Sequence, residues 1–138
     1  MTETVWTPED LARWGSVEEI RISTRRRDGS QRTFVPIWIV AADGGLYVRS
    51  HRGTVGAWYR HAQQDSHGRI RADGIDRDVT FVHPGAEVRK SVDAAYRTKY
   101  ARYGDSYLRP MLAEQAVAAT LRLDPQSSAS NPDEERTQ

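Results

Sequence analysis

Residues 67–82, His67-Gly68-Arg69-Ile70-Arg71-Ala72-Asp73-Gly74-Ile75-Asp76-Arg77-Asp78-Val79-Thr80-Phe81-Val82, decide the fold class. An Asp-Gly pair between two β-type runs is the strongest short-range hairpin signal, because both turn residues must take positive φ. A two-residue turn at Asp73-Gly74 pairs Ala72 with Ile75, Arg71 with Asp76, Ile70 with Arg77 and Arg69 with Asp78. One face then carries Ile70, Ala72, Ile75, Val79 and Phe81, interrupted by Arg77. The other face carries two opposite-charge cross-strand pairs, each worth roughly 0.2–1 kcal/mol. Those four charges set register and need no ligand.

The same signal occurs at Asp28-Gly29 and Asp43-Gly44. Strands are therefore expected near 17–24, 33–41, 45–50, 67–72 and 75–82, most simply as an antiparallel meander. A helix at about 55–64 interrupts it, and a last strand at 119–123 ends at Pro125. Hairpins rather than β-α-β crossovers build the sheet, which argues against Rossmann and TIM architectures. Residues 1–16 read as an N-terminal helix: Thr7 is the N-cap, Pro8 suits the first position, and Gly15 ends it. After Pro84-Gly85, Ser91 can cap a helix in which Val92, Ala95, Tyr96, Tyr100 and Tyr103 recur at helical spacing up to Gly104. Asp93 and Arg97 suit an i,i+4 pair. A further helical piece runs from about 106 to 116. Residues 1–123 thus form one domain, while 124–138 are predicted to be disordered, with Ala129 their one apolar side chain.

Composition excludes several function classes. The chain has 138 residues, 38% of them hydrophobic and 28% charged, with a formal net charge of +1. That near-neutral balance does not support bulk binding of nucleic acid or an anionic membrane. Cysteine is absent, which removes disulfides, thiolate metal sites and a thiol nucleophile. The longest apolar run, Val35–Ala42, is far short of a membrane span of about 20 residues. Met1-Thr2-Glu3 lacks a signal-peptide start, so the expected location is the cytoplasm. His51, His61, His67 and His83 show no metal-ligand spacing, and no Gly-x-Ser-x-Gly elbow occurs. Two of the 20 basic residues are lysines, Lys90 and Lys99, which leaves 18 arginines.

Two stretches could carry chemistry. Thr24-Arg25-Arg26-Arg27-Asp28-Gly29-Ser30-Gln31-Arg32 sets four arginines around one hairpin turn, suited either to gripping a phosphate or carboxylate or to a solvated turn. In Ser50-His51-Arg52-Gly53-Thr54-Val55-Gly56-Ala57-Trp58-Tyr59-Arg60-His61, a glycine-containing loop leads from a strand into a helix. Backbone N–H groups there form a ready anion site, which Ser50, Arg52 and Thr54 could complete. The spacing matches neither a P-loop nor a dinucleotide fingerprint.

Taken in order, Ile20–Gly29, Pro36-Ile37-Trp38-Ile39-Val40, Asp43–Ser50 and Ala57-Trp58-Tyr59-Arg60-His61 resemble the deazaflavin-dependent nitroreductases. The likeness is nearest to an uncharacterised, domain-of-unknown-function family allied to them, over about residues 17–123. It implies a mainly β fold with flanking helices, an antiparallel split β-barrel of the FMN-binding and pyridoxamine-phosphate-oxidase type, usually a homodimer. By that likeness FMN or a deazaflavin would lie in a groove with Pro36 and Trp38 near the ring. Arg49, Ser50, Arg52 and Gly53 would approach the ring edge or phosphate, and Trp58, Tyr59 and Arg60 would open the flanking helix. Three positions depart from the pattern: Arg52 replaces a glycine, His61 an asparagine, and Ala57 a proline.

The leading expectation is a flavin- or deazaflavin-dependent oxidoreductase acting on an unidentified small molecule. Arg25, Arg26, Arg32, Arg49, Arg52 and Arg60 would hold its acidic tail, and Tyr100 or Tyr103 would close the substrate side or donate a proton. The alternative is a cofactor-free ligand-binding or structural homodimer on the same barrel.

Overall fold

The computed structural model describes residues 6–126. The first helix, α1 (Pro8–Ser16), starts as its sequence dictates: the Thr7 hydroxyl accepts from the Asp10 N–H at 3.0 Å. It runs past Gly15 instead of ending there. A Cβ at Gly15 would stand 2.9 Å from that of Ala41, so this glycine permits close approach of helix to sheet.

Seven strands follow: β1 (Ile20–Thr24), β2 (Val35–Ile37), β3 (Val40–Ala42), β4 (Gly45–Arg49), β5 (His67–Ala72), β6 (Ile75–Val82) and β7 (Thr120–Pro125). They form one antiparallel sheet in the order β2-β1-β5-β6-β7-β4-β3, curled as a split barrel. Between β4 and β5 lies α2 (Ala57–Gln64). Between β6 and β7 lie α3 (Arg89–Tyr100), α4 (Asp105–Leu112) and α5 (Glu114–Ala118).

The hairpin chemistry holds in detail. Asp43 and Gly44 have φ of 49° and 76°, and Asp73 and Gly74 have 53° and 77°, as a tight primed turn requires. The β5–β6 register pairs Ala72 with Ile75, Arg71 with Asp76, Ile70 with Arg77 and Arg69 with Asp78. Arg71 forks onto Asp76 at 2.7 and 3.0 Å, and Arg69 meets Asp78 at 2.8 Å. Asp28-Gly29 makes a wider turn in which only Gly29 has positive φ and the Asp28 carboxylate accepts from the Ser30 N–H and hydroxyl.

The meander is corrected. The expected 33–41 strand breaks at Trp38-Ile39, which sends β2 and β3 to opposite edges of the sheet. Two side chains of α3 hold the break open. The Tyr100 hydroxyl accepts from the Ile39 N–H at 3.2 Å, and Lys99 Nζ donates to the Ile39 carbonyl at 2.6 Å. Burial pushes the Lys99 ammonium down to about 8.

Other local expectations change as well. Helix α3 begins at Arg89, led in by a short 3-10 turn, so Ser91 is not its cap. Asp93 turns inward to Arg49 rather than out to Arg97. The 106–116 piece is two helices parted at Ala113. Asp124 and Pro125 pair with Thr80 and Val79, and the Gln126 N–H donates to the Asp78 carbonyl, so the sheet reaches past residue 123. Backbone pairing is indifferent to the polar side chains that suggested disorder. The rest of that expected tail, 127–138, lies outside the described residues.

The concave side is filled by Ile20, Ile22, Leu46, Val48, Ile70, Val79, Leu121 and Leu123, closed by Trp14 and by Tyr59 of α2. A second cluster covers the other face of β3 and β4: Val40 and Tyr47 pack against Val92, Tyr96 and Tyr100 of α3 and Met111 of α4. Strand β4 is therefore buried on both faces. Its last residue, Arg49, is drawn into the interior with it.

Candidate functional site

A cleft of about 550 Å³ opens where β2, the end of β4, the start of α2 and α4 converge. Its walls are largely apolar: Pro36, Trp38, Trp58, Tyr107, Pro110 and Met111. Polar side chains cluster at Arg49, Ser50, His51 and Arg52, and Glu19 is the one acid among its lining residues. This is the chemistry of a small-molecule site, an apolar slot with a few convergent polar groups.

The Trp38 wall is set by the strand break. Its indole lies 3.9 Å from the Tyr100 ring at 2° between planes, and Tyr103 packs at 5.4 Å. The Tyr100 hydroxyl is occupied by backbone, donating to the Glu18 carbonyl at 2.8 Å while accepting from Ile39. Burial pushes that phenol up to about 12. Tyr100 thus stands one layer behind the cleft with Tyr103 beside it, and neither lines it.

The polar end is a tightly folded loop. The Gly53 N–H donates to the Ser50 carbonyl at 2.9 Å, and the Gly56 N–H to the Gly53 carbonyl at 3.2 Å. Gly53 has φ of 72° and packs against Gln115, whose amide donates to the His51 carbonyl at 3.0 Å. A Cβ at Gly56 would lie 2.4 Å from Ser50 Oγ, so any larger residue there would have to displace the Ser50 hydroxyl. Gly56 is also the N-cap of α2 and makes no side-chain cap bond, while Ala57 and Trp58 of the first turn line the cleft. Uncapped first-turn N–H groups beside Arg52 favour an anion.

Arg49 is 2% exposed and is held from three sides. Nε donates to Thr120 Oγ1 at 2.9 Å, and Nη1 donates to Asp93 Oδ1 at 2.7 Å and to the Met111 carbonyl at 2.9 Å. Its guanidinium lies over the Tyr96 ring, 5.3 Å from the centroid. Nη2 is buried with no hydrogen-bond partner among the described residues.

Six of the residues singled out from sequence therefore come together: Pro36, Trp38, Arg49, Ser50, Arg52 and Trp58. Gly53 and Thr54 shape the loop behind them. Tyr59 faces the core, edge-on to Trp58 at 6.2 Å. The arginine-rich turn is not brought to the cleft. Arg26 donates to the Gln31 carbonyl at 2.9 Å. Arg32 and Arg60 lie near His61, whose imidazole is held below its ordinary range by burial and then by those two charges. Sequence reasoning missed Glu19, His51 and the α4 contribution, because nothing in a short helix tells which side meets a groove.

Arg25 is committed elsewhere. Its Nε and Nη2 donate to the two Asp65 oxygens at 2.9 and 3.2 Å, and the His67 N–H donates to Asp65 at 3.0 Å, tying β1 and β5 to the end of α2. The Arg25 hydrogen bonds hold the Asp65 carboxyl down at about 2. A depressed folded-state value contributes stability above the ordinary carboxylate range, and that contribution fades as pH falls through 2. Asp65→Asn should therefore lower stability at neutral pH by about 1 kcal/mol, discounted for partial exposure, and flatten the loss between pH 4 and 2. Urea unfolding across that range checks it; an unchanged acid profile would contradict it.

The sequence model of an uncharacterised family of proteins conserved in bacteria, DUF2255, matches residues 10–123, nearly the whole described fold. The chain belongs to that family. Among curated proteins, no sequence matches it. Among solved structures, HutZ, the heme storage protein from Vibrio cholerae, is similar at TM-score 0.56 and 12% identity, covering 87% of this chain and 90% of that one. An FAD-binding protein of Mesorhizobium loti, mll6688, is similar at TM-score 0.55 and 13% identity, covering 92% and 95%. The conserved hypothetical protein Rv2991 from Mycobacterium tuberculosis is similar at TM-score 0.52 and 14% identity, covering 92% and 84%. These likenesses establish the split-barrel fold. Among the described residues, no group of three His, Asp or Glu side chains could hold a metal ion, and no helix is long and apolar enough to cross a membrane.

Proposed function

We propose that the cleft holds a flat, phosphate-bearing ring cofactor of the flavin or deazaflavin class, and that the protein is a cytoplasmic oxidoreductase acting on a small molecule. One observation carries this reading. Two indoles and a proline wall the same slot whose end presents Arg52, Ser50 and the uncapped start of α2. The donor set fits such a group: the apolar walls suit the ring, and the cationic, donor-rich end suits its phosphate. When bound, the cofactor supplies hydride or electron chemistry. The chain's part is to orient the ring between Trp38, Pro36 and Trp58 and to neutralise the phosphate at Arg52. Arg49, fixed by Asp93 and Thr120, lines the inner end of the slot. The described FAD-binding of mll6688 is consistent with this reading.

A homodimer belongs to it as well. Val35, on edge strand β2, and Tyr107, 67% exposed on α4, leave apolar surface on the lining of the cleft. Burying that surface against a second copy would shield the ring from water. A second reading, cofactor-free or non-redox ligand binding on the same barrel, draws on HutZ, described as a heme storage protein, and on His51 in the cleft lining.

Fluorescence titration with FMN, then with a deazaflavin, and absorbance titration with hemin decide among these. Saturable binding of FMN or the deazaflavin at tens of micromolar or tighter is the expected result, with a dimer in sedimentation at micromolar concentration. Binding of hemin alone favours the second reading. Binding of none of the three overturns the redox assignment, and a monomer overturns the dimer.

A further inference from the structure

A smaller cavity of about 280 Å³ shares Arg49 with the cleft. Its other polar walls are His83, on the loop after β6, Arg89 at the start of α3, and Thr120 of β7. The volume is below the roughly 300–1,000 Å³ of sites for drug-sized ligands. It suits a small ion with a few waters, each water needing about 30 Å³.

Its buried wall holds Arg49 against one carboxylate, and Arg89 reaches the same carboxylate from the half-exposed rim. Arg49 and Arg89 share a single buried carboxylate: Asp93 accepts from Arg49 at 2.7 Å, while Arg89 Nε stands 3.6 Å from its second oxygen. Arg89, itself 42% exposed, also forks onto the Glu114 carboxylate at 2.7 and 3.4 Å, and that side chain is 81% exposed. A contact of that kind is cheaply exchanged. Glu87, exposed as well, folds over Gly85 next to the cavity, and no acidic residue is among the lining. His83 contacts Gln63 at 2.7 Å and is exposed. The buried Nη2 of Arg49 has no acceptor among the described residues. A buried donor without an acceptor is costly, and a ligand oxygen or an ordered water removes the cost.

We infer that this cavity is a second binding site, for a small oxyanion of the phosphate class, held by Arg49, Arg89 and His83. Arg89 and Arg49 supply the charge, and His83 and the loop at Gly85 supply the rim. Because Arg49 lines both spaces, an ion here also stiffens the inner wall of the neighbouring cleft. The oxyanion is one free in solution; the phosphate tail of a ligand seated in that cleft is the competing source.

Thermal unfolding of the full chain with inorganic phosphate, raised to tens of millimolar at constant ionic strength with chloride, tests the site. A ligand that binds only the folded state raises the melting temperature saturably. The expected result is a saturating rise of several degrees in the wild type and in Arg52→Ala. The rise is lost in Arg89→Gln and in His83→Leu, the latter a mild surface change that keeps the test valid if the former folds poorly. An equal rise in both of those variants, a rise that never saturates, or no rise overturns the site. A rise lost in Arg52→Ala alone moves the oxyanion to the cleft. FMN titrated into Arg89→Gln separates the sources: unchanged affinity supports a free oxyanion, and weakened affinity with no response to inorganic phosphate assigns the contact to the cofactor's tail and overturns an independent site.

Discussion

Arg49→Met lowers stability by about 3 kcal/mol, a drop of about 10 °C in melting temperature. The change deletes a guanidinium that is 2% exposed and leaves the Asp93 carboxylate in the interior without its partner at 2.7 Å. Removing one member of a buried ion pair costs more than the pair itself contributes, since the surviving charge stays desolvated. Arg89, with Nε at 3.6 Å from Asp93, offsets part of the loss and keeps the figure at the lower end. Adding Asp93→Leu to the variant should recover most of the stability, and a cycle of the two changes measures their coupling. If Asp93→Leu makes Arg49→Met worse, the pair is not what Arg49 is held for, and its bonds to Thr120 and the Met111 carbonyl carry the effect.

If the proposed cofactor is bound, Arg52→Ala is expected to weaken FMN or deazaflavin binding roughly ten- to a hundred-fold, the worth of one charge-assisted hydrogen bond at about 1.5–3 kcal/mol. Arg52 is exposed on the loop between Ser50 and Gly53, so its loss leaves melting nearly untouched. Arg71→Ala is the matched control. That residue forks onto Asp76 on the exposed face of the β5–β6 hairpin and lies outside the cleft lining, so its loss costs a little stability and no affinity. Both titrations belong at one modest salt concentration, because screening weakens exposed charge contacts. Equal affinity of Arg52→Ala and wild type would leave the cofactor in place and move its phosphate away from Arg52.

What was legible in the chain is what local chemistry determines. Two of the three Asp-Gly pairs make two-residue turns with both residues at positive φ, and the β5–β6 register follows residue by residue from the turn length. The break at Trp38-Ile39 was not legible. Pro36 stands two residues before it but within β2, no glycine or proline stands at the break itself, and the groups that hold it come from α3, some 61 residues later in the case of Tyr100. Without that break the 33–41 run reads as a single strand and the sheet as a meander. The site divides the same way. The loop from Arg49 to Arg52 and the start of α2 could be read as an anion-binding strand-to-helix passage, and Pro36 and Trp38 entered through family likeness. The arginine-rich turn misled because a run of cations carries no sign of its partners. Arg25 is claimed by Asp65, forty positions on.

The placement of β2 and β3 at the two rims also bears on self-association. Each rim is only three residues long. On β2 the middle residue is Pro36, which has no N–H to offer an incoming strand. Neither rim can template a continuous intermolecular ladder, which protects the protein from edge-to-edge aggregation. The dimer proposed above would therefore form by burying side chains such as Val35 and Tyr107 face to face, so that its association would respond to apolar substitution there and not to changes along the backbone of the rims.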